Sequence, residues 1–423
     1  MVILHAGANV QFLRLHSSQT MKSLPTPNLS LLRRNLWQTR FYYLLWFGGS
    51  GSATPFLNLF YLKLGLSGTE IGWIASMSAI VTLAAAPFWA NRSESWKRPR
   101  QVLQWLIIFN ALAFFLLTQQ VMFLGIAVVS VIRAFVGAGI SPLSDAMALT
   151  VTRGVHAGFG SVRVFGSLGY MIFVLISGWI GEHIGLKFSL VSAAILTLMS
   201  AVVLLQITTP NFSHGDREGL ESPQLSSVLR RLAAQPLMIG VAAMITIDGL
   251  LNTGVWQFQA AYMNQLGAEQ SIIGLAEMLG ALVELPCMIW ADHLMKRRSP
   301  FRLLTIAMLL FAAFRAFVFL FPSVPTILLA HAAAGMGFSF YIVALVRFIG
   351  EQTMPSEARV VLAFFTVTLT NFTWMISTPI AGSFFDHLGP RSLYAIATVG
   401  YLLGWFALQS AAYFSNRAST TVP

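Results

Sequence analysis

Charged side chains make up only 10% of this 423-residue chain, and cysteine occurs once. Set against 56% hydrophobic residues and a mean hydropathy of +0.71, so small a charged fraction excludes a soluble globular protein. The lone Cys287 lies in an apolar run, which excludes a disulfide framework and a thiolate metal site. There is no Gly-x-x-x-x-Gly-Lys-Ser/Thr loop to cradle nucleotide phosphates, and no His-Glu-x-x-His or paired-Cys metal pattern. Neither ATP-driven work nor enzymatic catalysis is therefore expected of the chain, and no metal or cofactor.

What is abundant is apolar sequence in long stretches. A membrane-crossing helix needs about 20 mostly apolar residues, roughly 30 Å at 1.5 Å per residue. Twelve such stretches are read near Thr39–Leu62, Glu70–Ala90, Val102–Thr118, Met122–Thr150, Phe159–Gly181, Phe188–Gln206, Met238–Met263, Ile272–Ala291, Leu303–Phe321, Thr326–Ile349, Val360–Phe384 and Leu393–Phe414. The expected class is an all-α polytopic membrane protein.

Lys and Arg alternate between the loops as the positive-inside rule requires. Arg33, Arg34 and Arg40 precede the first span, Arg92, Lys97, Arg98 and Arg100 follow the second, and Arg153 follows the fourth. Lys296, Arg297, Arg298 and Arg302 follow the eighth, whereas the intervening loops hold only Lys63, Lys187 and Arg391. Both termini are thus expected in the cytoplasm, with the chain multi-pass in the plasma membrane. The net charge of +11 follows from this asymmetry and from anionic lipid on that face, so no nucleic-acid partner is inferred.

The sequence also happens twice. Trp89-Ala90-Asn91 is answered by Trp290-Ala291-Asp292, and Gly137, Gly139, Ser141 by Gly335, Gly337, Ser339. Gly178 to Gly185, ending Glu-His-Ile-Gly, is answered by Gly382 to Gly389, ending Asp-His-Leu-Gly. Repeated bundles of this kind build many secondary transporters, with the substrate site near the midplane between them. The polar stretch with Pro210, His214, Asp216, Glu218, Glu221 and Pro223 is the natural boundary. The expected division is a cytoplasmic leader over 1–35, a six-helix bundle over 36–207, a cytoplasmic linker over 208–235, a second six-helix bundle over 236–414 and a tail over 415–423. The leader reads as unstructured, with Met21 as an alternative start.

Function is sought in ionisable groups placed where insertion costs roughly 2.5–3.5 kcal/mol each. These are Arg133, Asp145, Arg163, Asp248, Glu277, Glu284, Arg315, His331 and Arg347. Glu277 and Glu284 lie two helical turns apart on one face, roughly 10 Å along the axis, so that face looks into the bundle. An acid alternately paired with a guanidinium and exposed to water changes its proton affinity, which links proton movement to a conformational cycle. Arginine stays charged and serves as an anchor for anions or acceptors.

The segment Phe159-Gly160-Ser161-Val162-Arg163-Val164-Phe165-Gly166-Ser167-Leu168-Gly169-Tyr170 resembles the fifth-helix signature of the lactose-permease and phenylpropionate-permease branch of the major facilitator superfamily. Ser141-Pro142-Leu143-Ser144-Asp145-Ala146, Phe56 to Gly72 and Ile273 through Arg315 resemble the same branch. The resemblance implies twelve helices in two pseudo-symmetric six-helix bundles, working as a monomer. It implies substrate-binding roles for Asp145, Arg163 and Tyr170, at the positions where lactose permease carries the sugar-binding acid, arginine and aromatic ring. The permease has Glu and Trp where this chain has Asp145 and Tyr170, which argues against a galactoside. Proton coupling is implied for Glu277, Glu284, Arg315 and Arg347, in a pattern closer to the phenylpropionate permease, because the helix-ten His and acid of lactose permease fall at Gly337 and Phe340. The turns after Asn91-Arg92 and Asp292-His293 resemble the superfamily's cytoplasmic gate, with Asp292 and Arg92 as its residues and the first copy degenerate at Asn91.

Bland readings stand beside these. Asp145 and Arg163 suit an interhelical ion pair, worth about 4 kcal/mol at 4 Å and an effective dielectric of 20. Arg133 suits pairing with an acid, Arg347 snorkelling, and Asp248, His331 and Asn371 packing or hydrogen bonding. The leading expectation is proton-coupled uptake of a small polar, aromatic-acid, sugar-like or nucleoside-like solute. A proton-driven exporter of amphipathic compounds and a non-transporting receptor or scaffold are the alternatives.

Overall fold

The computed structural model describes residues 29–94, 98–208, 225–354 and 357–420. Most of the expected leader and linker, and Lys97, lie outside the described residues, as do the Asn91 side chain and the last residues of the tail. All regular structure among the described residues is helical. In the first half of the chain, α1 (Leu29–Lys63), α2 (Gly68–Glu94), α3 (Pro99–Leu117), α4 (Phe123–Gly154), α5 (Gly160–His183) and α6 (Leu186–Gln206) follow in order. After the linker come α7 (Leu225–Leu232), α8 (Pro236–Leu251), α9 (Thr253–Gln265), α10 (Gln270–Leu294), α11 (Pro300–Leu320) and α12 (Val324–Gln352). The chain ends with α13 (Ala358–Ala363), a π-helical stretch (Phe364–Leu369), α14 (Thr370–Leu388) and α15 (Pro390–Thr420).

Helix starts follow local chemistry. Pro opens α3, α8 and α11 in the first turn, where its missing N–H costs nothing, and Ser299 and Ser323 cap α11 and α12 through the N–H groups of Arg302 and Thr326. Among the described residues, eleven helical segments are long and apolar enough to cross a membrane. The twelfth is α1, whose polar positions Ser50, Ser52, Thr54 and Asn58 dilute its hydropathy while it packs along α5 and α6.

Two expected single spans are interrupted. The seventh breaks at Asn252 into α8 and α9, because the Gly249 carbonyl is taken by the hydroxyls of Thr253 and Ser377, and the Asn252 amide donates to the Tyr401 hydroxyl. The eleventh passes through the π-helical stretch, where the Thr370 hydroxyl bonds the Phe365 carbonyl five residues back. The linker also holds structure that composition does not announce. Val228 and Leu232 of α7 are buried in the cluster of Met238, Phe348 and Ile349, and Arg231 pairs with the buried Glu357.

The repeat is visible in the packing. In the first half α1 lies on α5 and α6, α2 on α4, and α3 on α4 and α6; in the second α8 lies on α14 and α15, α10 on α12, and α11 on α12 and α15. Left-handed glycines turn the chain at equivalent places, Gly65 and Gly267 before α2 and α10, Gly185 and Gly389 before α6 and α15. Between the halves run two matching seams, α2 with α14 and α5 with α10. Backbones touch there. A Cβ on Gly72 would meet the Thr378 carbonyl at 2.2 Å, and one on Gly274 the Val174 carbonyl at 2.6 Å. The seam contacts gather at the end with the glycine turns. Arg163, two turns below Tyr170 toward the basic loops, is exposed, so the space between the halves opens toward the basic end.

Candidate functional site

A cavity of about 430 Å³ lies between the halves. The first half contributes Phe47, Ser50 and Asn58 from α1 and Arg163, Ser167 and Tyr170 from α5; the second contributes Trp256, Gln257 and Gln259 from α9, Glu277 and Glu284 from α10, Phe311 and Arg315 from α11, and His331 from α12. The size suits a ligand of drug or sugar dimensions, with aromatic walls and few convergent polar groups.

Glu277 is the junction. Its carboxylate accepts a 3.0 Å hydrogen bond from the Tyr170 hydroxyl across the α5–α10 seam and lies 3.7 Å from Nε2 of His331. The other ring nitrogen of His331 is 2.6 Å from the Gln259 amide nitrogen, and the Gln259 carbonyl oxygen accepts from the buried Tyr394 hydroxyl at 3.4 Å. Arg315 stands over the Tyr394 ring at 5.7 Å. A continuous polar chain thus runs from the seam into the second half.

The glutamates on α10 do reach one wall, as the spacing of two turns requires. Neither is within ion-pair distance of Arg315, however. That guanidinium is buried deeper and interacts with Asp248, whose other neighbours are Tyr401 and Asn252. Arg163 sits over Phe47, 4.1 Å from the ring centre, and its charge acts on Glu284. Asp145 is not on the cavity wall and makes no ion pair with Arg163; it accepts a 2.7 Å hydrogen bond from Tyr43. Arg347 is remote as well, paired with Glu351 at 3.1 Å on the exposed face of α12.

Arg92 and Asp292 are exposed in equivalent last turns, of α2 and α10, at the basic end. Arg133 lies against Phe114, 5.0 Å from the ring, beneath Tyr61, and pairs with no acid among the described residues. Gln259 is the site residue that sequence reasoning passed over, and His331, singled out as an intramembrane ionisable group but read as packing or hydrogen bonding, is placed on the cavity wall. Their only signal was polarity within apolar spans, which packing residues share.

The model of the MFS_1-like family matches residues 36–396. The chain is 29% identical over 274 residues to a maltose permease of Geobacillus stearothermophilus, covering 64% of this chain and 68% of that one. It is 25% identical over 388 residues to the uncharacterized transporter YwbF of Bacillus subtilis strain 168, covering 88% and 92%. Among solved structures, the nucleoside transporter NupG superposes with a TM-score of 0.77 at 13% identity, over 89% of this chain and 98% of that one. A bacterial homologue of the lysosomal transporter Spinster, inward-facing and unoccupied, superposes with a TM-score of 0.67 at 14% identity, over 92% and 97%. Both structural likenesses speak to the fold.

Proposed function

The chain belongs to the MFS_1-like family of the major facilitator superfamily, and on that premise we propose that it couples proton entry to uptake of a neutral, hydroxyl-rich solute by alternating access. The observation that carries this reading is the position of Glu277, held by Tyr170 from one half and facing His331 from the other. A carboxyl group there changes partners whenever the halves rock, so its proton affinity follows the conformation. His331 is the natural exchange partner, since imidazole takes up and releases protons near neutral pH.

The charge of the wall argues for a neutral solute. Glu277 and Glu284 share the wall with Arg163, while the charge of Arg315 is offset by Asp248 behind it, so an acid substrate would meet a wall whose carboxylates already outnumber its free guanidinium. Asn58, Gln257 and Gln259 offer amide donors and acceptors to hydroxyls, and Trp256, Phe47 and Phe311 offer flat faces to a sugar or base. The aromatic-acid class is accordingly set behind sugars and nucleosides, a choice that the name of the maltose permease relative also favours. Arg163 anchors the solute, with Tyr170 shared between the solute site and the proton site. In the membrane, the basic end faces the cytoplasm, and the whole path lies within one chain, so a monomer suffices.

The deciding experiment is internal pH in proteoliposomes challenged with pooled sugars, nucleosides and aromatic acids, with Glu277→Gln and Glu284→Gln beside the unmutated chain. Proton entry triggered by one pool and abolished in Glu277→Gln supports symport and names the solute class. Solute flux without proton movement refutes coupling, and tight binding without flux refutes transport.

A further inference from the structure

The repeated acid-His-x-Gly turn has no part in the cavity, yet both copies sit on the closed seams. Asp386, in the last turn of α14, reaches across to the start of α2. One carboxylate oxygen accepts from the Gly68 N–H at 2.7 Å, and the other accepts from the Thr69 N–H at 2.8 Å and the Thr69 hydroxyl at 2.7 Å. Its counterpart Glu182, in the last turn of α5, reaches across to the start of α10 and accepts from the Ser271 N–H at 3.3 Å. Each half therefore lends a carboxylate to the N-terminus of the other half's helix, where free N–H groups and the helix dipole favour negative charge.

The two receiving ends differ. In α2, Ser67 and Glu70 already form a reciprocal capping box, with Glu70 accepting from the Ser67 N–H at 2.8 Å and Ser67 accepting from the Glu70 N–H at 3.1 Å. In α10 the residue at the cap is Glu269, whose side chain makes no capping bond. Asp386 with its three bonds is thus the stronger of the pair, and Glu182 supplies a cap that α10 lacks. Below the two caps the backbones are in contact, at Gly68 with Gly382 and at Gly178 with Gln270. Separation of the halves at this end has to break both caps and expose the orphaned N–H groups together.

We propose that Asp386 and Glu182 form a reciprocal latch of helix caps that holds the glycine-turn end shut, and that they are positioning residues setting the balance between the two open states. The purpose of the latch rests on the transport reading; its geometry does not. Loss of the latch shifts the population toward opening at this end. That shift speeds access from the glycine-turn side without touching the cavity residues.

The test is a cysteine reporter at Thr378, fully buried on the α14 seam opposite Gly72, in a Cys287→Ala background. In membranes, a membrane-impermeant maleimide added at the glycine-turn side labels Thr378→Cys slowly while the latch is intact. Asp386→Asn is expected to raise the labelling rate about tenfold, as expected for losing charge-assisted cap bonds. Thr69→Ala, which removes one hydrogen bond and keeps the carboxylate, is expected to raise it less. Asp386→Asn with Glu182→Gln is expected to exceed either. Labelling unchanged in the double variant, in protein that elutes as a single folded species, overturns the latch. Because labelling needs no substrate, a failure of the transport reading shows separately, as absent flux with the latch effect intact.

Discussion

Tyr170 and Glu277 meet at 3.0 Å across the seam between α5 and α10, so the phenol of one half hydrogen-bonds the carboxylate of the other. The contact lies where the closed part of the seam ends and the cavity begins. In the proposed cycle it gives one side chain two duties, closing the seam and holding the coupling acid.

Removing the phenol separates these duties. A hydrogen bond to a charged group is worth about 1.5–3 kcal/mol, so Tyr170→Phe is expected to weaken gradient-driven accumulation by about tenfold or more. Glu277→Gln is expected to abolish accumulation while leaving solute exchange across equilibrated membranes. Paired accumulation and exchange assays on the two variants check this. Accumulation surviving in Glu277→Gln moves the coupling acid elsewhere.

Arg163 rests on Phe47 and lines the cavity, so the anchoring proposed for it uses a planar, forked guanidinium. Arg163→Ala is expected to raise the KM for the solute about tenfold or more, and Arg163→Lys to recover little of it. Uptake kinetics with the identified solute decide. An unchanged KM in Arg163→Ala removes Arg163 from the site.

Asp248 Oδ1 and Arg315 Nε are both buried without a hydrogen-bond partner among the described residues, and the two charges balance each other inside the second half. They attract each other through space without an ion-pair contact, and removing one buried charge leaves the other uncompensated at a cost of about 1–3 kcal/mol. Asp248→Asn is therefore expected to lower the thermal unfolding temperature in detergent markedly, and Asp248→Asn with Arg315→Gln to recover most of the loss. Equal loss in the single and double variants breaks the argument.

Gly335 on α12 lies against α10 so closely that a Cβ would sit 2.3 Å from the Gly280 carbonyl. Overpacking of this sort costs about 1–3 kcal/mol, and backbone on both sides leaves nothing flexible to yield. Gly335→Ala should unfold at lower temperature than the unmutated chain, whereas Gly350→Ala, with open space around its position, should not.

At the rim, Glu269 holds its proton to higher pH than an ordinary glutamate, first because Glu182 hydrogen-bonds to it and then because the Glu182 charge repels its own; slight desolvation adds to this and His183 opposes it. An acid with a raised pKa in the closed state stabilises that state below its ordinary pKa and loses the contribution as pH rises through the raised value. Raising the pH on the glycine-turn side from about 4 to about 7 should therefore speed labelling of Thr378→Cys, and Glu269→Gln should flatten the profile. A profile unaltered by Glu269→Gln assigns the dependence to another group.

Much of the architecture was legible in the chain, and particular residues show why. Hydropathy marks spans because a crossing helix must be apolar over its whole length, and that demand is local. Even so, α1 fell below the usual apolarity, since Ser50, Ser52, Thr54 and Asn58 share it with the cavity and the neighbouring helices. The break at Asn252 was invisible, because the hydroxyl of Ser377 that takes the Gly249 carbonyl comes from 128 residues away.

The site divides in the same manner. Spacing by itself determined that Glu277 and Glu284 share a face, hydropathy and internal repetition that the chain is a doubled helical membrane protein, and the resemblance of the Phe159 to Tyr170 segment that it belongs to the major facilitator superfamily. Only the tertiary structure decided partners. It set His331 beside Glu277 and Gln259 behind His331, turned Asp145 to Tyr43, gave Arg347 to Glu351, and joined Asp386 to a helix that starts 318 residues earlier in the chain. Periodicity tells which way a side chain points from its own helix, but the distance to a group on another helix depends on how both are rotated and packed, and no local pattern carries that information.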